Sequence, residues 1–147
     1  MPVILPTDDF QSYVQANYEQ LRKPASDDGV FEELDVYFGE GTPGNMEGSY
    51  AFSDELGYHY AFTEKGSIKS HRISDDIFDV TYWIFADQIF KMALNYATDH
   101  QQPNQDFRRV LFSKELDLFK VLGCNYVRRA QIEIDEILKA TPFDDNL

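Results

Sequence analysis

The sequence predicts an α+β fold: an N-terminal helix, a small antiparallel sheet and three C-terminal helices packed with it. Three observations lead there. Apolar residues recur at helical spacing in residues 7–23 and in three stretches after residue 74. Between about residues 49 and 73 they alternate at period two. Stretches rich in glycine and proline separate the two patterns. At 147 residues, 43% hydrophobic and 15% aromatic, the chain is long enough for one core without staples, so a single domain over residues 1–147 is expected.

The elements follow in order. In "TDDFQSYVQANYEQLRK" Thr7 is placed to cap a helix, Asp8 and Asp9 suit its positive end, and Phe10, Tyr13, Val14, Tyr18 and Leu21 form the apolar face. Pro24 is expected to stop that helix, and "PASDDG" to turn. "VFEELDVYF" leaves strand and coil open, and "GEGTPGNMEGS" is a loop. "SYAF", "YHYAF" and "SIKSHRI" are strands; Tyr58, Tyr60 and Phe62 share a face, and Gly66 supplies a positive φ in the last hairpin. A helix capped by Ser74 runs to about Thr98 and is apolar on nearly every side. Two more follow: one with Phe107, Val110, Leu111, Leu118, Val121 and Leu122 on a stripe, ended by Gly123, and one with Val127, Ala130, Ile134, Ile137 and Leu138. Asp87–Lys91 and Asp135–Lys139 are expected surface pairs.

Charge narrows the function. The chain holds 26 acids and 13 bases, a net of −13. Residues 1–64 hold 13 of the acids and only Arg22 and Lys23 as bases. From Asp27 to Glu55 there are nine acids and no base: Asp27, Asp28, Glu32, Glu33, Asp35, Glu40, Glu47, Asp54 and Glu55. A one-signed field of this kind disfavours nucleic acid and anionic lipid and attracts basic partners. One cysteine excludes an intrachain disulfide framework. With no basic leader and no apolar run of membrane-spanning length, a soluble cytoplasmic protein is expected.

No motif supplies catalytic, cofactor or metal chemistry. Asp75, Asp76 and Asp79 spell DDxxD, a magnesium–diphosphate pattern, but lack facing carboxylates or a second copy; acids after a serine cap are read as a helix start. The alternative, a small hydrolase or phosphate-handling enzyme, would use Asp75, Asp79 and a histidine. His59 and His71 can face each other across the hairpin without a third ligand at matching spacing, and His100 lies in a loop. Cys124 has no histidine near it in sequence. Arg108–Arg109 and Arg128–Arg129 open helices where cations oppose the dipole; in so acidic a chain they are expected to clamp carboxylates, with Asp106 one turn from Arg109.

"YHYAFTEKGS", "YWIFADQIFKMA", "QDFRRVLF" and "TPFDD", in that order and spacing, resemble the immunity protein 63 family of bacterial polymorphic-toxin and contact-dependent growth inhibition systems. The resemblance covers about residues 57–145. Its more specific parts are Tyr82–Trp83–Ile84–Phe85 and Asp106–Phe107–Arg108–Arg109; the family usually has arginine where this chain has Lys65. It implies a non-enzymatic inhibitor that binds a cognate toxin domain, with Trp83 and Phe107 as core and the arginines as clamps. The expected toxin is a basic nuclease, gripped by the acids of residues 27–55 with Tyr37 and Tyr50 as aromatic anchors.

Overall fold

The computed structural model describes residues 3–146. In order, its elements are α1 (Thr7–Tyr18), α2 (Arg22–Asp27), β1 (Tyr37–Phe38), β2 (Gly48–Asp54), β3 (Gly57–Glu64), β4 (Ser67–Ser74), α3 (Ile77–Asp99), α4 (Phe107–Leu122) and α5 (Cys124–Ala140). Short 3₁₀ turns occupy Glu19–Leu21 and Pro43–Asn45. The chain divides into two compact units, one made of the residues up to Asn17 and Glu33–Phe85, the other of Tyr18–Glu32 and the residues from Ala86 onward.

The first unit holds the sheet, ordered β1-β2-β3-β4. Strands β2, β3 and β4 form an antiparallel meander, as the alternation predicts. Strand β1 pairs parallel with β2, Tyr37 beside Tyr50 and Phe38 beside Ala51, so the sheet is mixed where an antiparallel one was expected. The cause is the loop from Gly39 to Glu47, too long for a tight hairpin, which carries the chain back to start β2 alongside β1. The β3–β4 turn is a two-residue hairpin with Lys65 at φ 54° and Gly66 at φ 78°, the handedness that matches strand twist. At the other end Gly57 has φ 140°, and a Cβ there would lie 2.6 Å from the Ser74 carbonyl oxygen.

One sheet face meets α1 and the start of α3. The Phe10 ring packs edge-on to Phe38 at 5.5 Å and against Tyr58 at 4.9 Å. Thr7 is committed to this contact: its hydroxyl accepts from the Ser53 backbone N–H at 3.1 Å. Val80, Tyr82, Ile84 and Phe85 are buried. Trp83, expected in the core, is half-buried at its edge, with the Arg72 guanidinium 5.0 Å from its ring. The helix starts later than expected because Ser74 ends β4. Asp76 is the residue that caps α3, accepting from the Phe78 N–H at 2.9 Å.

In the second unit the chain stays helical past Pro24, which was expected to stop it. A 3₁₀ turn restarts the helix at Arg22, so Pro24 falls in a first turn, where its missing N–H has no helical partner to lose. Tyr18 donates to the Glu32 carbonyl at 2.6 Å. Ala93, Ala97, Leu111, Phe112 and Ile134 form a buried cluster, with Phe107, Val110, Leu138 and Phe143 packed around it. Gly123, φ 138°, ends α4 and opens α5. Asp135, expected to pair with Lys139, instead accepts from Gln131 at 2.8 Å.

Candidate partner-binding surface

The acidic run divides where the chain passes from one unit to the other. In the second unit its members are engaged internally. Asp27 pairs with Lys23 at 3.0 Å, and Asp28 pairs with the buried Lys114, whose ammonium also lies 4.3 Å from the centre of the Tyr96 ring. Glu32 accepts from the side-chain amides of Gln88 and Asn95, each at 3.1 Å.

In the first unit the acids are more open. Glu33 and Asp35 are exposed on the segment leading to β1. Glu40 and Glu47 are exposed on the 39–47 loop, Glu55 is exposed in the β2–β3 turn, and none of these three has an ion-pair or hydrogen-bond partner. Tyr37 is half-buried beside Gly48, and Tyr50 is buried in the sheet. The first unit carries 12 acids and 3 bases, the second 14 acids and 10 bases, so net charges of −9 and −4 make up the −13.

Asp54 is differently employed. His59, 5% exposed, meets Asp54 at 2.9 Å through Nε2 and His71 at 2.8 Å through Nδ1. The histidines do face each other, and sequence spacing missed the carboxylate because Asp54 reaches His59 across the turn between two strands. The His59 hydrogen bond, followed by the Leu56 N–H, holds the Asp54 carboxyl below its usual range. Phe52, His59 and His71 stack as a row. Among the described residues no group of three or more His, Cys, Asp or Glu is placed to hold a metal ion. The DDxxD residues are occupied by the helix start: Asp76 caps it, Asp79 accepts from the Ser74 hydroxyl at 2.7 Å, and Asp75 is exposed.

The arginines at the start of α4 are clamps, with partners other than spacing suggested. Arg108 takes Asp106 at 2.9 Å and donates to the Thr141 and Pro142 carbonyls, while Arg109 takes Asp145 at 2.9 Å. Both guanidiniums lie over the Phe143 ring. Asp106 also caps α4, and its bonds to Arg108 and to the Asp144 N–H hold its carboxyl well below the ordinary carboxylate range. On α5, Arg128 is exposed. Glu115 gave no signal in the sequence: burial, with Glu133 adding to it, pushes its carboxyl up to about 7. Cys124 is exposed and forms no disulfide.

Among the described residues no helix is long and apolar enough to cross a membrane. No curated protein and no solved structure matches the chain. Residues 54–136 match the family described as immunity protein 63, taking in the hairpin end at Asp54, all of α3 and α4, and most of α5. That span exceeds half of the 147 residues, and the chain belongs to the immunity protein 63 family of toxin–immunity systems.

Proposed function

We propose that this protein binds and neutralises, in the cytoplasm of the cell that makes it, a cognate toxin domain with a basic surface, a nuclease. Family membership supplies the partner's class. The partner's charge is inferred from one observation, the excess of acid in the first unit, where Glu40, Glu47 and Glu55 have no ion-pair partner. A nuclease must present cations to grip phosphates, and a carboxylate surface can occupy the same cations. The proposed contact residues lie in the acidic run Asp27–Glu55, with Glu40, Glu47 and Glu55 carrying more of the binding than Asp27, Asp28 and Glu32, whose side chains are already engaged.

The test uses the toxin domain encoded beside this protein, inactivated for handling. Association should be fast at low salt and slow by about tenfold or more as ionic strength rises through about 0.5 M, because screening removes the steering. Cells expressing the active toxin should grow only with this protein present. An association rate indifferent to salt would refute the basic-surface reading, and failure to protect would refute the toxin reading.

A further inference from the structure

Strand β4 leaves one edge of the sheet open. The order β1-β2-β3-β4 gives it a single neighbour, β3, and its residues from Ser67 to Ile73 are all exposed. Among the described residues no backbone hydrogen bond beyond the β3 pairing reaches it. The opposite edge, β1, is only two residues long. Proteins blunt a long edge by shortening it, interrupting it with proline or covering it, and the eight residues of β4 show none of these. Its remaining devices are Lys69, Arg72 and a bulge near the hairpin turn, which leave the stretch from Ser70 to Ser74 regular.

The register identifies the main-chain groups that are free. Two-residue turns close both hairpins, one between Asp54 and Gly57 and one between Glu64 and Ser67. Residues flanking such a turn exchange both hydrogen bonds, and along an antiparallel ladder the direction then alternates. Counted from either turn, Tyr58, Tyr60 and Phe62 direct their groups to β4, so Ser74, Arg72 and Ser70 are bonded to β3. The N–H and C=O groups of His71 and Ile73 therefore point away from the sheet. Their side chains share one face with Ile68, because their partners Ala61, His59 and Thr63 alternate along β3. Ile68 is 62% exposed and Ile73 44%.

We propose that the outer edge of β4 receives an extended segment of the toxin domain as a fifth strand of the sheet, held by the main-chain groups of His71 and Ile73. The inference rests on the toxin reading above and adds a second contact to the acidic one. Charge selects the segment. The first unit's three cations, Lys65, Lys69 and Arg72, all lie in the β3–β4 turn and β4, and Ser67–Ser74 holds no acid. Glu64, on β3, is one strand further from the edge. A second copy of this chain would set two such basic strands side by side, which like-charge pairing disfavours. The segment that fits carries a carboxylate opposite Lys69 or Arg72 and an apolar side chain beside Ile68 or Ile73. Acids on the toxin's basic surface and a basic edge on an acidic strand together fix how one partner sits on the other.

Residue-resolved amide hydrogen exchange reads the pairing directly. In the free protein the His71 and Ile73 amides should exchange fast, while β3 protects that of Arg72. Saturation with the inactivated toxin domain should slow His71 and Ile73 by about a hundredfold or more. Lys69→Glu tests the sign of the charge. It exchanges one positive for one negative charge, taking the net from −13 to −15, so an acidic field alone would hold a basic toxin at least as tightly. Facing a carboxylate, the variant should instead weaken Kd by about tenfold, with a matching thermal melt establishing that it folds. Unchanged exchange at His71 and Ile73 in the complex, or a Lys69→Glu protein that binds like wild type, would overturn the added strand while leaving the toxin reading intact. Protection of both amides that develops in the protein alone as its concentration rises would assign the edge to a second copy and overturn the proposal. A wild-type protein that does not bind the toxin domain would overturn both readings.

Discussion

Asp28→Ala separates a structural carboxylate from a partner-binding one. Lys114 has 8% of its side chain exposed and Asp28 has 42%. The ammonium's other contact is the face of Tyr96. Removing the carboxylate leaves a nearly buried cation without a counter-charge. Breaking a fully buried pair costs about 3–5 kcal/mol, but water reaches Asp28, so about 1–2 kcal/mol is the expected cost here. For a chain of this size that is a fall of about 3–8 °C in Tm. Lys114→Met removes the cation and leaves Asp28 to water, so its stability should lie within about 1 kcal/mol of wild type. Scanning calorimetry measures both, and Kd for the toxin domain should change less than about threefold in Asp28→Ala. An Asp28→Ala protein that melts like wild type but binds the toxin poorly would refute the assignment and return Asp28 to the interface.

Two further outcomes follow from burial. Phe85→Ala should cost about 3–5 kcal/mol in urea unfolding, whereas Trp83→Ala, half-buried beneath Arg72, should cost about 1–3 kcal/mol, reversing the order expected if the tryptophan were central. Glu115 has its folded-state pKa raised from 4.5 to about 7, so its neutral form favours the fold. That contribution is complete below pH 4.5 and lost as pH rises through about 7. Glu115→Gln should therefore raise Tm by a few degrees at about pH 8 and leave it nearly unchanged at about pH 4.

The helices and strands were legible because their signals are local. Period two in "YHYAF" and the apolar pattern of α3 survive in the fold because burial rewards the same spacing that the sequence displays. Boundaries were less legible where one residue serves two elements. Ser74 reads as a cap but ends a strand, and Asp76 does the capping. Pro24 reads as a stop, yet a 3₁₀ turn ahead of it resets the count of backbone donors. The parallel pairing of β1 left no local signal, since a two-residue strand is defined by its partner alone.

For the candidate surface, the sequence by itself determined the sign and quantity of the charge, the absence of any cation from Asp27 to Glu55, and the family signature in the segments around the hairpin and α4. Those are sums and patterns along the chain, and folding does not change them. Only the tertiary structure decided which carboxylates remain available. Asp28 and Glu32 look the same as Glu40 and Glu47 in one dimension, but Lys114 comes from 86 residues away and Gln88 from 56 to engage the first two. It also decided that Val3, Tyr58 and Asp75, far apart in the chain, would line one cavity. A carboxylate's availability depends on neighbours within a few ångströms, and chain separation carries no information about which neighbours those will be.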